Sequence, residues 1–300
     1  MMAQESKPAI RGELGYSRPL RTLNSWRVGG EAECLFRPAD LDDLRVFLVE
    51  GLAVEPLTWL GLGTNVLIRD GGIRGTVIAL HGALDGLALT DDGRVVAEAG
   101  LPCAKVARFA ARGGLSGAEF LAGIPGTMGG ALAMNAGAFG GETWDRVEAV
   151  TTIDGSGVVR ERKSVAYRIG YRSVEGPQGE WFVAARLALN PGATEASRDR
   201  IRALLARRGA TQPTGLPSCG SVFRNPPGDH AARLIETAGL KGFRIGGACV
   251  SEKHANFIIN LSEARAADIE SLIRYVQSEV AARHGVELVT EVRILGEPAS

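Results

Sequence analysis

The sequence predicts an α+β fold divided into two or three compact units. Three observations carry that prediction. The chain, at 300 residues, is longer than one ordinary hydrophobic core organises. Its apolar residues recur at both the helical and the strand period. Asn190-Pro191-Gly192 is the strongest break signal in the chain.

From about Arg21 to Leu189 the two periods alternate. Asp40 to Glu50 reads as a helix with Leu41, Leu44, Phe47 and Leu48 on one face, and Leu57 to Leu60 and Thr76 to Leu80 read as strands. Val147 to Ile153 and Val158 to Glu161 flank Asp154-Gly155-Ser156-Gly157 as a hairpin, and the strand Trp181 to Leu189 runs to the break. Beyond it, Thr194 to Arg208 is a helix ended by Gly209, and Asp229 to Ala238 a second one, capped by Asp229 and closed by Gly239. A longer helix capped by Ser262 buries Ile269, Leu272, Ile273, Val276 and Val280 and ends at Gly285. Val286 to Leu295 alternates as a final strand, with Val286, Leu288, Val292 and Ile294 on one face and Glu287, Glu291 and Arg293 on the other.

Composition narrows the function. The 34 basic and 34 acidic residues cancel, leaving no electrostatic footprint for a duplex or an anionic membrane. Met1 to Leu20 lacks the apolar core of a signal peptide, and no stretch approaches the ~20 apolar residues that span a bilayer, so a cytoplasmic location is expected. Cys34, Cys103, Cys219 and Cys249 lie far apart without a C-x-x-C, and His81, His230, His254 and His284 show no ligand spacing. Reduced thiols and no bound metal are expected.

Glycine is the outlier, 40 of 300 residues, roughly twice the usual ~7%. One cluster, Gly61-Leu62-Gly63-Thr64-Asn65, follows a strand and can turn backbone amides toward a phosphate; an ordinary tight turn is the alternative. It matches neither a Rossmann fingerprint nor a Walker loop. A second, Gly123-Ile124-Pro125-Gly126-Thr127-Met128-Gly129-Gly130, and a third, Asn135-Ala136-Gly137-Ala138-Phe139-Gly140-Gly141, bracket small residues that let backbone approach a flat ligand. Two such loops some sixty residues apart can grip one diphosphate from opposite sides. The fourth, Ser218 to Pro226, exposes the Ser221 hydroxyl after Gly220, with Arg224 and Asn225 as anion and amide contacts. No histidine is placed to make Ser221 a nucleophile, so an acid–base role suits it better.

These residues resemble the UDP-N-acetylenolpyruvoylglucosamine reductase family over nearly the whole chain. The likeness runs through Asn24-Ser25-Trp26-Arg27-Val28-Gly29-Gly30, Gly61 to Asn65, Ile124 to Thr127, Gly170-Tyr171-Arg172-Ser173, Gly220 to Pro226, Ala238 to Gly242, Ser251 to Phe257 and Glu291-Val292-Arg293, in the family's order. The resemblance implies an FAD-binding region of the para-cresol methylhydroxylase type at 21–189, in two α/β subdomains meeting near 85, and an α+β substrate-binding domain at 190–300. It implies non-covalent FAD, NADPH as hydride donor, a UDP-sugar enolpyruvyl ether as substrate and no obligate protein partner.

Read alone, Arg172 is a surface arginine, Ser221 a turn serine and Glu291 a solvated strand residue. The resemblance makes them the catalytic set: Arg172 as a cation near the substrate carboxylate, Ser221 as proton donor, and Glu291 polarising the carboxylate or orienting a water. It implies cofactor contacts from Gly61, Gly63, Thr64, Asn65, Pro125, Gly126, Thr127, Gly129, Gly130, Asn135 and Gly137, and substrate contacts from Asn225, His254 and Tyr171. No extra tyrosine-bearing loop separates Arg172 from Ser221, which resembles the subgroup without it. Two rivals are weaker. A covalent-flavin oxidase would draw on His81, the only histidine of that region, or Cys103, its nearest cysteine, and neither lies in a glycine-rich loop; an inactive nucleotide-binding module would be expected to have lost one of the three catalytic positions.

Overall fold

In the computed structural model, which describes residues 10–299, chemistry written locally in the sequence sets the first helix, α1 (Leu41–Val49). Asp40 accepts from the Asp43 amide as its N-cap, and Leu44, Phe47 and Leu48 are buried. The signal-peptide reading rests partly on residues 1–9, outside that range. Three units follow one another. The first is a four-stranded sheet in the order Glu13–Pro19, Glu31–Arg37, Ile73–Ala79, Leu57–Leu60, antiparallel at its first pairing and parallel at the others. The strand expected at Thr76 to Leu80 therefore starts earlier, at Ile73.

The second unit is an antiparallel five-stranded sheet in the order Val159–Lys163, Val147–Asp154, Glu180–Leu187, Val95–Glu98, Leu87–Leu89. It contains the expected hairpin around Asp154, whose carboxylate accepts from the Ser156 and Val158 amides inside the turn. On it pack α2 (Cys103–Arg112) and α3 (Met128–Met134). The small residues of the glycine-rich stretch thus form a helix with Ala131 and Leu132 buried.

Helix α4 (Thr194–Thr211) departs from expectation twice. It runs through Gly209, and it buries Ile201 in the second unit's core, with Ser197 donating to Glu119 at 2.7 Å. It lies against α2 and the turn Glu119–Gly123, so by its packing α4 belongs with the second unit and not with a domain starting at 190. That unit holds α5 (Ala231–Thr237), a small antiparallel sheet of Arg244–Ile245, Ala248–Val250 and Ile258–Asn260, and α6 (Ala266–His284).

Other side chains take over two expected caps. At α5 the Ala231 amide donates to Asn225 Oδ1 at 3.1 Å, and Asp229 instead pairs with Arg233. At α6 the Ala266 and Ala267 amides donate to the two oxygens of Asp70, both at 2.9 Å, so the cap comes from the first unit and Ser262 lies outside the helix. Gly285 ends α6 in the left-handed region, φ +66°. The final strand is confined to Arg293–Leu295 and pairs in parallel with Val66–Ile68 of the first unit. Trp26 is fully buried in the last unit's core and donates from Nε1 to Ile258 O at 2.8 Å, while Asn260 Nδ2 donates to Trp26 O. Each end of the chain therefore ties the first unit to the last.

Candidate active site

The first two glycine clusters meet. A Cβ on Gly61 would lie 2.4 Å from Thr127 Oγ1, and one on Gly126 would lie 3.5 Å from Thr64 Oγ1, so the loops face each other at contact distance. Gly63 sits at φ +62° with its missing Cβ 2.1 Å from Leu23 O, and only glycine fits that approach. The second loop is pinned by Cys103 N–H donating to Gly126 O at 2.9 Å. Beside the loops opens a cavity of about 410 Å³ lined by Arg27, Thr64, Pro125, Arg208, Gly220 and Phe257 among others, drawn from all three units. A smaller one of about 110 Å³ is lined by Arg37, Gly61, Leu62 and His81. Facing glycine loops beside a cleft fit a diphosphate and a flat ring, so the residues fit FAD.

Not every expected cofactor contact has a free group. Gly129 gives its amide to Ala99 O at 2.9 Å, and a Cβ there would meet Ala99 Cβ at 2.9 Å, making it a packing glycine. Asn135 is buried at 1% exposure and C-caps α3 at φ +47°; its Oδ1 accepts from Trp144 N–H and its Nδ2 donates to Glu142 and to Gly170 O. Both side-chain functions are used inside the protein. Asn65 Nδ2 donates to Glu291 O at 3.1 Å, and its own carbonyl accepts from Arg293 N–H, so it holds the Glu291 segment in place.

The candidate catalytic residues converge from distant parts of the chain. The hairpin Arg168–Gly170 and Ser173–Glu175 turns at Tyr171-Arg172, with Arg172 left-handed at φ +53°. A non-glycine residue holds that conformation only when its surroundings fix it. Here they do: Arg172 donates from Nε to Glu291 Oε1 at 3.1 Å, from Nη1 to Asn135 O at 3.2 Å and from Nη2 to Gly137 O at 3.0 Å. The side chains are only 16% and 12% exposed. Burial pushes the Glu291 carboxyl above the usual carboxylate range, while the Arg172 charge and hydrogen bond oppose the shift.

Glu291 is also tied to the serine loop, its N–H donating to Val222 O at 2.8 Å, one residue past Ser221. Gly220 reaches that loop at φ +70° with open space around it. Buried Asn256 fixes the loop from behind, accepting from Phe223 N–H at 2.9 Å and donating to Phe223 O at 2.8 Å. Neither Asn256 nor the register that places Arg224 near Glu291 was read from the sequence. Asn256 lies inside the Ser251 to Phe257 motif, the only signal that could have found it.

Of the expected substrate contacts, Asn225 is exposed and spends Oδ1 on α5, leaving its Nδ2 available. Tyr171 is 49% exposed, its ring 5.2 Å from the Arg172 guanidinium. His254 packs edge-on against Phe257, with Nδ1 buried and unpartnered among the described residues; burial lowers its pKa. Against covalent flavin attachment, Cys103 is fully buried with its thiol pushed up to about 12, and thiolate is the reactive form.

Comparison with known proteins points to one family. The family described as FAD binding domain matches residues 32–162, and the family described as UDP-N-acetylenolpyruvoylglucosamine reductase, C-terminal domain, matches 212–295, which begins where α4 ends. The UDP-N-acetylenolpyruvoylglucosamine reductase of Alkalilimnicola ehrlichii is 60% identical over 100% of both chains, and that of Methylococcus capsulatus 60% identical over 96% of this chain and 94% of its own. The crystal structure of the Thermus caldophilus UDP-N-acetylenolpyruvylglucosamine reductase superposes with a TM-score of 0.83 at 35% identity, covering 96% of this chain and 100% of that one. The fold, the facing loops and these matches over the full length place the chain in the UDP-N-acetylenolpyruvoylglucosamine reductase family of FAD-dependent oxidoreductases.

Proposed function

We propose that this enzyme uses NADPH to reduce the enolpyruvyl ether of UDP-N-acetyl-3-O-(1-carboxyvinyl)-glucosamine to UDP-N-acetylmuramate, a peptidoglycan precursor, in the cytoplasm. The observation that carries the reading is the shielded Arg172–Glu291 pair held against the serine loop beside the two glycine loops. Non-covalent FAD, held by Gly61, Gly63, Thr64, Pro125, Gly126 and Thr127, supplies hydride from its N5 when bound.

The chain's own residues then handle charge and proton. Hydride addition to the methylene carbon leaves an enolate-like carboxylate, and the Arg172 guanidinium stabilises it in a site where water screens little. Ser221 delivers the proton to the neighbouring carbon. Its conjugate base needs nearby positive charge or a relay, and the Glu291 carboxyl, on the segment paired with the serine loop and raised in pKa by burial, is suited to carry a proton. Asn256 keeps the serine loop from drifting, and Asn65 does the same for Glu291.

NADPH and the UDP-sugar use one cleft in turn, a reading supported by the lack of a Rossmann fingerprint in the chain. The run from Arg172 through the strand Glu180–Leu187 to α4 carries no inserted tyrosine loop, which supports the subgroup assignment. No helix among the described residues is long and apolar enough to cross a membrane. The test is an anaerobic titration of purified protein: yellow enzyme bleaches with NADPH and recolours with the enolpyruvyl substrate. Colourless protein that takes up no FAD, or reduced enzyme that the substrate does not reoxidise, overturns the reading.

A further inference from the structure

Arg224 is a cation near Glu291 that forms no salt bridge among the described residues. Its Nε is buried and has no hydrogen-bond partner, and no carboxylate among the described residues forms a salt bridge with it. Buried donors are almost always satisfied, so an orphan one beside a reaction centre marks where a ligand atom belongs.

Backbone register fixes its location. Arg224 N–H donates to Val289 O, Phe223 pairs with Thr290, and Glu291 N–H donates to Val222 O, so Arg224 and Glu291 lie on one face of this antiparallel pairing, two positions apart. The Arg224 charge is among the influences acting on the Glu291 carboxyl. Arg172 meanwhile spends three of its donor groups on Glu291, Asn135 O and Gly137 O, leaving little of its fork for a ligand.

We propose that Arg224 is a substrate-binding residue: together with the free donors of Arg172, its guanidinium receives the carboxylate of the enolpyruvyl group. This assignment rests on the function proposed above. The planar fork suits a carboxylate better than a point charge does.

The test uses oxidised, FAD-loaded enzyme and follows the flavin absorbance on titration with two probes. One is UDP-N-acetyl-3-O-(1-carboxyvinyl)-glucosamine, and the other the same nucleotide with a plain vinyl ether in place of the carboxyvinyl group. Arg224→Gln is expected to weaken the first at least tenfold and leave the second unchanged. Arg224→Lys is expected to recover part of the loss. Equal weakening of both probes, which a merely structural role would produce, overturns the assignment, as does unchanged binding of the first. If Arg224→Gln does not hold FAD, Arg224→Lys carries the same comparison, with selective weakening of the carboxylated probe expected and equal effects overturning it. Wild-type enzyme that binds neither probe overturns the proposed function and the assignment with it; wild-type binding with no selective loss overturns the assignment alone.

Discussion

Arg69→Met should loosen the docking of the last unit onto the first, and its cost can be worked from one ion pair. Arg69 lies just past the strand Val66–Ile68 and donates to Glu270 of α6 through two bonds, Nε to Oε2 and Nη2 to Oε1, both 2.9 Å. Glu270 is 11% exposed on its side chain and Arg69 is 32% exposed. Breaking a fully buried pair costs about 3–5 kcal/mol, but the partial exposure of Arg69 and the second partner Arg274 reduce that, so about 2 kcal/mol is expected. The Arg69 hydrogen bonds hold the Glu270 carboxyl below its ordinary value of 4.5. A depressed value means that the stabilisation is fully present above pH ~4.5 and is lost as pH falls through the folded value. Urea unfolding of wild type and variant, at pH 7 and again at successively lower pH below 4.5, measures the gap. It should be about 2 kcal/mol at pH 7 and shrink on acidification. A gap below about 0.5 kcal/mol at pH 7, or one that does not change with pH, would refute the reasoning.

Three further outcomes are expected. Ser221→Ala should leave flavin reduction by NADPH intact and slow reoxidation by substrate roughly 10²–10⁴-fold, measured by anaerobic stopped flow; an unchanged second half-reaction removes Ser221 from the proton-donor role. Glu291→Gln should abolish an ionisation above pH 4.5 in the substrate half-reaction, because burial raises the Glu291 carboxyl. A raised value means that stabilisation is present below the ordinary pKa and lost as pH rises through the folded one, so the variant should gain stability relative to wild type over that window; a parallel stability profile contradicts this. Gly63→Ala forces a side chain into φ +62° and against Leu23 O, at a cost above about 1–2 kcal/mol. The purified variant should carry less flavin per protein by absorbance, and full flavin content would show that the loop adapts.

The sequence by itself determined what is written over a few adjacent residues. Asp40 before an apolar helical stripe, the turn at Asp154 to Gly157, and Gly285 after α6 are local chemistry, and each element formed with its signal in place. The glycine clusters and the Ser221 loop were legible for the same reason, because a tight backbone approach, or at Gly220 a left-handed φ, demands glycine wherever the rest of the chain lies.

Only the tertiary structure decided which groups remained free to act. Asn135 and Asn225 carry amides that the family resemblance assigns to ligands, yet folding spends that of Asn135 on Trp144, Glu142 and Gly170 and the oxygen of Asn225 on α5. Asp70 caps α6 from 196 positions away, displacing the nearer Ser262, and α4 joins the second unit because its Ile201 finds a buried cluster there. Arg172 and Glu291 stand 119 positions apart, and the low dielectric that raises the Glu291 carboxyl exists only once the units close around them. Hydrogen-bond satisfaction and burial are properties of the assembled chain; residue order fixes which groups are offered, and packing settles which are consumed.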